Sequence, residues 1–147
     1  MNVSVTRHEE FEVAHLLPKY PGKCKNLHGH TYKIEVTVTG KQDKPFDMVM
    51  DFNDLKTAIK KCVPDHKFIF YWDDIIGNEI RNILDLYGLD YECYPFHTTA
   101  ENMVKFFAEK INRYIHVDLN YPETTFVSKV ILYETSNSYA SWVKEGE

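Results

Sequence analysis

Apolar residues recur at two different spacings along this chain, and the spacing changes with position. Tyr32, Ile34, Val36 and Val38 alternate with Thr31, Lys33, Glu35, Thr37 and Thr39. A period of two puts the first set on one face and the second on the other, which predicts a half-buried strand of an antiparallel sheet. Gly40 and the polar stretch after it end that strand. Residues 3–13 read the same way, with Phe11, Val13 and then His15 on one face. After a short extended piece from Met48 to Phe52 the period lengthens. Leu55, Ile59 and Cys62 lie on one helical stripe, with Asp51 as a candidate cap and Pro64 as the stop. Ile76, Ile80, Ile83, Leu84 and Tyr87 predict a second helix over 75–87, closed by Gly88. Thr98 and Glu101 have the spacing of a capping box, and Met103, Phe106, Phe107, Ile111, Tyr114 and Ile115 follow on one broad apolar face. Residues 124–134 return to β-forming residues, and a turn at 136–138 leads to a last short strand over 139–143.

Strands at both ends of a helical middle predict an α+β fold, one antiparallel sheet covered by helices on one face. Neither an internal repeat nor a long linker interrupts the chain, so residues 1–147 are expected to form a single domain.

Composition narrows the function. Of 147 residues, 44% are hydrophobic and 27% charged, a balance that supports a core. The net charge of -5 excludes general nucleic-acid binding, which needs a clustered basic surface. No apolar run reaches the ~20 residues that a membrane span needs. The N-terminal residues lack the basic flank and apolar run of a signal peptide, so a cytoplasmic protein is expected. Three cysteines, Cys24, Cys62 and Cys93, are then read as core residues or as chemistry rather than as disulfides. Cys62 sits on the apolar stripe of its helix and reads as core.

The densest chemistry lies in Cys24-Lys-Asn-Leu-His28-Gly-His30. Period two puts the His28 and His30 imidazoles on one face at the mouth of a strand. His15 closes the preceding strand and approaches them if the two strands pair. Three neutral imidazoles suit zinc and leave a fourth position open to water or substrate. The same residues also fit a closed structural site with Cys24 as fourth ligand.

Two further places carry candidate chemistry. Asp65-His66 follows the Pro64 stop, and a carboxylate beside a histidine can orient it and raise its basicity, given a loop geometry that lets neighbours touch. A thiol near a metal, as Cys24 would be, is favoured as thiolate. Cys24, His66 and Asp65 thus form a candidate proton relay, while the plainer reading of Asp65 and His66 is a solvated loop. Glu134 ends a β-forming run, where it is either a solvated strand end or an acceptor for two parallel N–H groups of a flat heterocycle.

Taken in order, Phe11-Glu-Val-Ala-His15, Cys24-x-x-x-His28-Gly-His30, Asp51-Phe52, Asp65-His66-Lys67, Thr99-Ala-Glu101-Asn102 and Glu134-Thr135 resemble the 6-pyruvoyltetrahydropterin synthase and 6-carboxytetrahydropterin synthase family. The resemblance implies the tunnelling fold, a four-stranded antiparallel sheet with helices on one face. Sheets of three subunits join into a barrel, two trimers stack as a homo-hexamer, and active sites lie between subunits. It implies His15, His28 and His30 as zinc ligands, Cys24, Asp65 and His66 as proton-transfer residues, and Glu134 as the anchor of the pterin ring. The implied substrate is 7,8-dihydroneopterin triphosphate.

The three-residue gap from Cys24 to His28 is similar to the bacterial carboxy branch. That branch releases triphosphate and acetaldehyde, leaving 6-carboxy-5,6,7,8-tetrahydropterin, an early intermediate of queuosine and other 7-deazapurines. The alternatives are the pyruvoyl branch, with triphosphate elimination and internal redox, and a non-catalytic zinc-stabilised pterin-binding module. One departure from the short family forms is the stretch between His66 and Thr98, longer by roughly fifteen residues, a length that predicts an extra helix near 70–97 rather than a bare loop.

Overall fold

The computed structural model describes residues 1–146. In chain order the elements are β1 (Val3–His15), β2 (His28–Gly40), α1 (Phe52–Cys62), β3 (Lys67–Tyr71), α2 (Ile75–Leu86), β4 (Tyr91–Tyr94), α3 (Ala100–Val117), β5 (Phe126–Thr135) and β6 (Ser138–Val143). The strands form one six-stranded sheet in the order β4-β3-β1-β2-β5-β6.

The four strands anticipated from alternation are the antiparallel part of this sheet. β1 and β2 pair along their whole length, from Val3 opposite Gly40 to His15 opposite His28. β5 pairs with β2, and β6 with β5, both antiparallel. Tyr32, Ile34, Val36 and Val38 are all fully buried and pack with Phe11 and Val13 of β1 and Val127, Val130 and Leu132 of β5. Leu55, Ala58 and Ile59 of α1 and Met103, Phe107, Ile111 and Ile115 of α3 complete that core. α1 and α3 therefore cover one face of the sheet, as expected from their apolar stripes.

The sheet carries two strands beyond the expected four. β3 pairs parallel to β1 at Val13 and Ala14, and β4 pairs parallel to β3. Alternation does not reveal them, because Phe68, Ile69 and Phe70 are all buried. That is the pattern of a short parallel strand covered on both faces. Ile69 joins the α1/α3 core, whereas Phe68 and Phe70 pack with Leu16, Ala14 and the α2 residues Ile80 and Leu84. The extra helix α2 thus lies on the opposite face from α1 and α3. Gly77 makes its close seat possible, since a Cβ there would meet Phe70 Cδ2 at 2.7 Å.

The caps show one shift of register. Asp51 caps α1, accepting from Asn53 N at 2.7 Å. Asp74 caps α2. α3 is capped by Thr99, which accepts from Asn102 N at 3.3 Å, and not by a Thr98–Glu101 box. Thr98 lies one residue before the cap and is buried.

Away from the core, β1 and β2 present a polar surface on which Ser4 meets Thr39 and Thr6 meets Thr37 through their hydroxyls at 2.7 and 2.8 Å. β1 touches β3 only at Val13 and Ala14, so residues 3–11 present an unpaired edge. β6 presents another at the far side. Among the described residues no helix is long and apolar enough to cross a membrane.

Candidate metal centre

The end of the β1–β2 ladder brings three histidines together. His28 and His30 share the core-facing side of β2 with Tyr32, two residues apart each time. Antiparallel register sets His15 directly across from His28. The three imidazole centroids stand 4.6, 5.2 and 4.8 Å apart, and one ring nitrogen from each lies within 4.8 Å of the others.

The outward nitrogens are held from behind. His15 Nδ1 lies 3.0 Å from Thr98 Oγ1, and His28 Nδ1 lies 2.7 Å from the Asn26 carbonyl oxygen. A carbonyl only accepts, so His28 carries its proton on Nδ1 and leaves Nε2 with a free lone pair. All three Nε2 atoms are buried and lack a hydrogen-bond partner. Three orphaned, converging nitrogens are costly in a protein interior unless something takes their lone pairs, and a metal cation is such a group. Burial, followed by the neighbouring His28 and His30, pushes the His15 pKa down to about 4. Burial also lowers His30, although Glu134 opposes that shift. The His15 and His30 rings are thus favoured in the neutral form that ligates metals.

Glu134 joins this group from β5. Lys33 is paired with Tyr133, so the next residue, Glu134, falls beside Tyr32 on the core-facing side. Its Oε1 lies 3.1 Å from His30 Nε2 and 3.9 Å from His15 Nε2. The Tyr32 hydroxyl nearby is buried and has no partner. Burial, then the Glu134 charge, then Cys24 push its ionisation upward.

Cys24 lies in a one-turn 3-10 helix, Lys23–Lys25, inside the loop from β1 to β2. Its carbonyl accepts from Leu17 N at 2.8 Å, which ties the loop to the end of β1. The half-buried thiol is not among the atoms that converge with the three histidines.

Asp65 and His66 do touch. His66 adopts a left-handed backbone conformation with φ of 57°, and its Nδ1 lies 2.9 Å from Asp65 Oδ1. That oxygen also accepts from Glu12 N at 2.9 Å, which with burial opposing and His66 assisting holds the Asp65 pKa below its usual range. His66 N donates to the Glu12 carbonyl at 2.7 Å. The pair is therefore docked on β1 three residues before His15. Its ring lines a cavity of about 670 Å³ bordered by Glu12, Ala14, Thr31, Phe68 and Leu84, and also by His30 of the trio. Ala14 and Phe68 belong to the α2 side of the sheet. Among the described residues no hydrogen bond or ion pair joins the Asp65–His66 pair to Cys24 or to the histidine trio. One chain thus brings together His15, His28, His30 and Glu134, and His66 borders one cavity with His30 without bonding to the trio.

Residues 4–145 match the family model described as 6-pyruvoyl tetrahydropterin synthase. The chain belongs to that family. It is 35% identical over 144 residues to the Haemophilus influenzae 6-carboxy-5,6,7,8-tetrahydropterin synthase, covering 94% of this chain and 96% of that protein. It is 37% identical over 127 residues to the Aquifex aeolicus protein of the same name, covering 84% of this chain and 77% of that one. Its fold is similar to that of Caenorhabditis elegans 6-pyruvoyl tetrahydropterin synthase, with a TM-score of 0.67, 21% identity and coverage of 99% of this chain and 97% of that one.

Two residues of the site's outer support, Thr98 and Asn26, carry no signal in the sequence of this synthase-family chain. Thr98 stands 83 positions from His15 and reads locally as a helix cap. Asn26 acts through its backbone, which any residue supplies.

Proposed function

We propose that this chain is a zinc-dependent 6-carboxy-5,6,7,8-tetrahydropterin synthase. It takes 7,8-dihydroneopterin triphosphate and one water to 6-carboxy-5,6,7,8-tetrahydropterin, acetaldehyde and triphosphate. The observation that carries the reading is the convergence of three orphaned Nε2 atoms, at His15, His28 and His30, in a chain related along nearly its whole length to proteins of that name. The donor set fits zinc: three neutral imidazoles with room for a further ligand. Bound there, zinc supplies Lewis acidity to the oxygens of the substrate's side chain.

The protein's own residues do the rest. Cys24 and His66 move protons on and off the side-chain carbons, and Asp65 holds the His66 ring by its Nδ1. Glu134 accepts from the N–H groups of the pterin ring, a role its placement beside His30 supports, because it brings the ring's side chain to the trio. Among the described residues the Asp65–His66 pair makes no hydrogen bond or ion pair with the trio or with Cys24. The reading therefore places the complete site between subunits, in a homo-oligomer, a dimer of trimers, that joins the unpaired edges of β1 and β6.

Incubation of the zinc-loaded protein with 7,8-dihydroneopterin triphosphate, followed by mass spectrometry, tests the reading. A 6-carboxypterin product with acetaldehyde supports it. A 6-pyruvoyl product moves the chain to the other branch, and retention of the triphosphate refutes both.

A further inference from the structure

The three candidate ligands are not supported alike. His28 is backed by a carbonyl, which fixes its tautomer by chemistry alone. His15 is backed by a hydroxyl, which either donates or accepts. This difference matters because a neutral imidazole has one proton and two nitrogens. With the proton on Nδ1, the His15 Nε2 lone pair faces the trio. With it on Nε2, a N–H faces the trio and the ring cannot ligate.

We propose that Thr98 is the positioning residue of His15: its hydroxyl, 3.0 Å from Nδ1, accepts the imidazole proton and holds the ring in the tautomer and orientation that metal binding requires. The inference rests on the reading of the trio as a metal site. Both residues are closed off from solvent, His15 at 0% and Thr98 at 1% exposure, so water does not substitute for the hydroxyl. Thr98 is itself clamped. The preceding His97 carbonyl accepts from Thr99 N at 2.8 Å and from Asn102 Nδ2 at 3.0 Å, while Thr99 caps Asn102 N. Asn102 thus pins both sides of the turn that carries Thr98. One turn further on, Met103 and Phe107 anchor α3 in the core at 0% exposure. The ligand nearest the core is therefore aimed by a helix that contributes no ligand of its own.

Loss of a partner behind a metal-bound histidine typically weakens metal binding about ten- to a hundredfold. The experiment measures zinc affinity by competition with a chelator for the wild type, Thr98→Val and Thr98→Ser, with the thermal midpoint of each metal-free protein. Thr98→Val keeps the shape and removes the hydroxyl, and should bind zinc about ten- to a hundredfold more weakly. Thr98→Ser restores the acceptor and should stay near the wild type. Equal affinity for Thr98→Val, or an equal loss for Thr98→Ser, overturns the proposal. The ¹⁵N shifts of His15 in the metal-free wild type give a second check that needs no variant: a protonated Nδ1 supports the proposal and a protonated Nε2 overturns it. A wild type that binds no zinc at all refutes the metal reading itself, which is a distinguishable result.

Discussion

His15 and His28 are the last paired residues of the β1–β2 ladder, and their ring centroids stand 4.6 Å apart. The ladder behind them runs back to Val3 and Gly40 and is packed under α1 and α3 without help from the histidines. The site therefore sits on a scaffold that holds itself. His28→Ala should lose zinc, read by metal analysis, while circular dichroism and cooperative unfolding remain. Unfolding of the metal-free protein would instead mark a structural site.

Cys24 lies outside the converging set of ligand atoms. Cys24→Ala should keep its zinc and lose turnover by about a hundredfold or more, the scale of a lost proton-transfer group. Unchanged turnover would leave only a binding module, and loss of zinc would return Cys24 to the ligand set.

Glu134 stands 3.1 Å from His30 Nε2, close enough for a role at the metal as well as at the pterin. Glu134→Ala should weaken pterin binding by about 1.5–3 kcal/mol, the typical net worth of a hydrogen bond to a charged group. Calorimetry on the zinc-loaded variant measures it. Zinc content should be unchanged. Its loss would show that the carboxylate is a fourth ligand.

Tyr32 is fully buried and its hydroxyl has no partner. The ring earns its place by stacking on Phe11 at 5.3 Å. Removing an unsatisfied buried polar group while keeping the ring relieves a cost of about 1–3 kcal/mol. Tyr32→Phe should therefore unfold at the same or higher denaturant concentration than the wild type. A clear loss of stability would reveal a partner for the hydroxyl.

Cys62 is buried in the core, and burial raises its thiol pKa from the ordinary 9.0 to about 11. Alkylation of the native protein at neutral pH should label the exposed Cys93 and the half-buried Cys24 and spare Cys62. The sign of the linkage follows from the raised value. The folded chain keeps the Cys62 proton where the unfolded chain releases it, so stability should fall as pH climbs from 9 towards 11. Cys62→Ala should flatten that part of the pH profile.

Much of this molecule is legible in one dimension because the relevant physics is local. Alternation over residues 31–39 dictates which side chains of β2 face inward, since successive residues of a strand point to opposite faces. The same period puts His28 and His30 side by side. The apolar stripes of α1, α2 and α3 follow from the helical repeat in the same way. The parallel strands β3 and β4 are different. β3 holds the short apolar run Phe68-Ile69-Phe70 without alternation, β4 (Tyr91-Glu-Cys-Tyr94) holds no apolar run at all, and only their partners define them as strands. The stripe expected on α2 is buried only in part: Ile80 and Leu84 pack against Phe68 and Phe70, whereas Ile76, Ile83 and Tyr87 are exposed, and the stripe does not say which face of the sheet it meets.

The sequence by itself determined the three imidazoles, the scaffold strands that carry them and the family to which the motifs belong. Tertiary structure decided the rest: that His15 stands opposite His28, that Glu134 arrives from β5 beside His30, that Thr98 rather than a cap position backs His15, and that Asp65 and His66 form a pair docked on Glu12 of β1. The physical reason is the same in each case. Which face a side chain takes is set within a few residues, whereas strand register, cross-strand neighbours and a contact spanning 83 positions are set by the packing of the whole core.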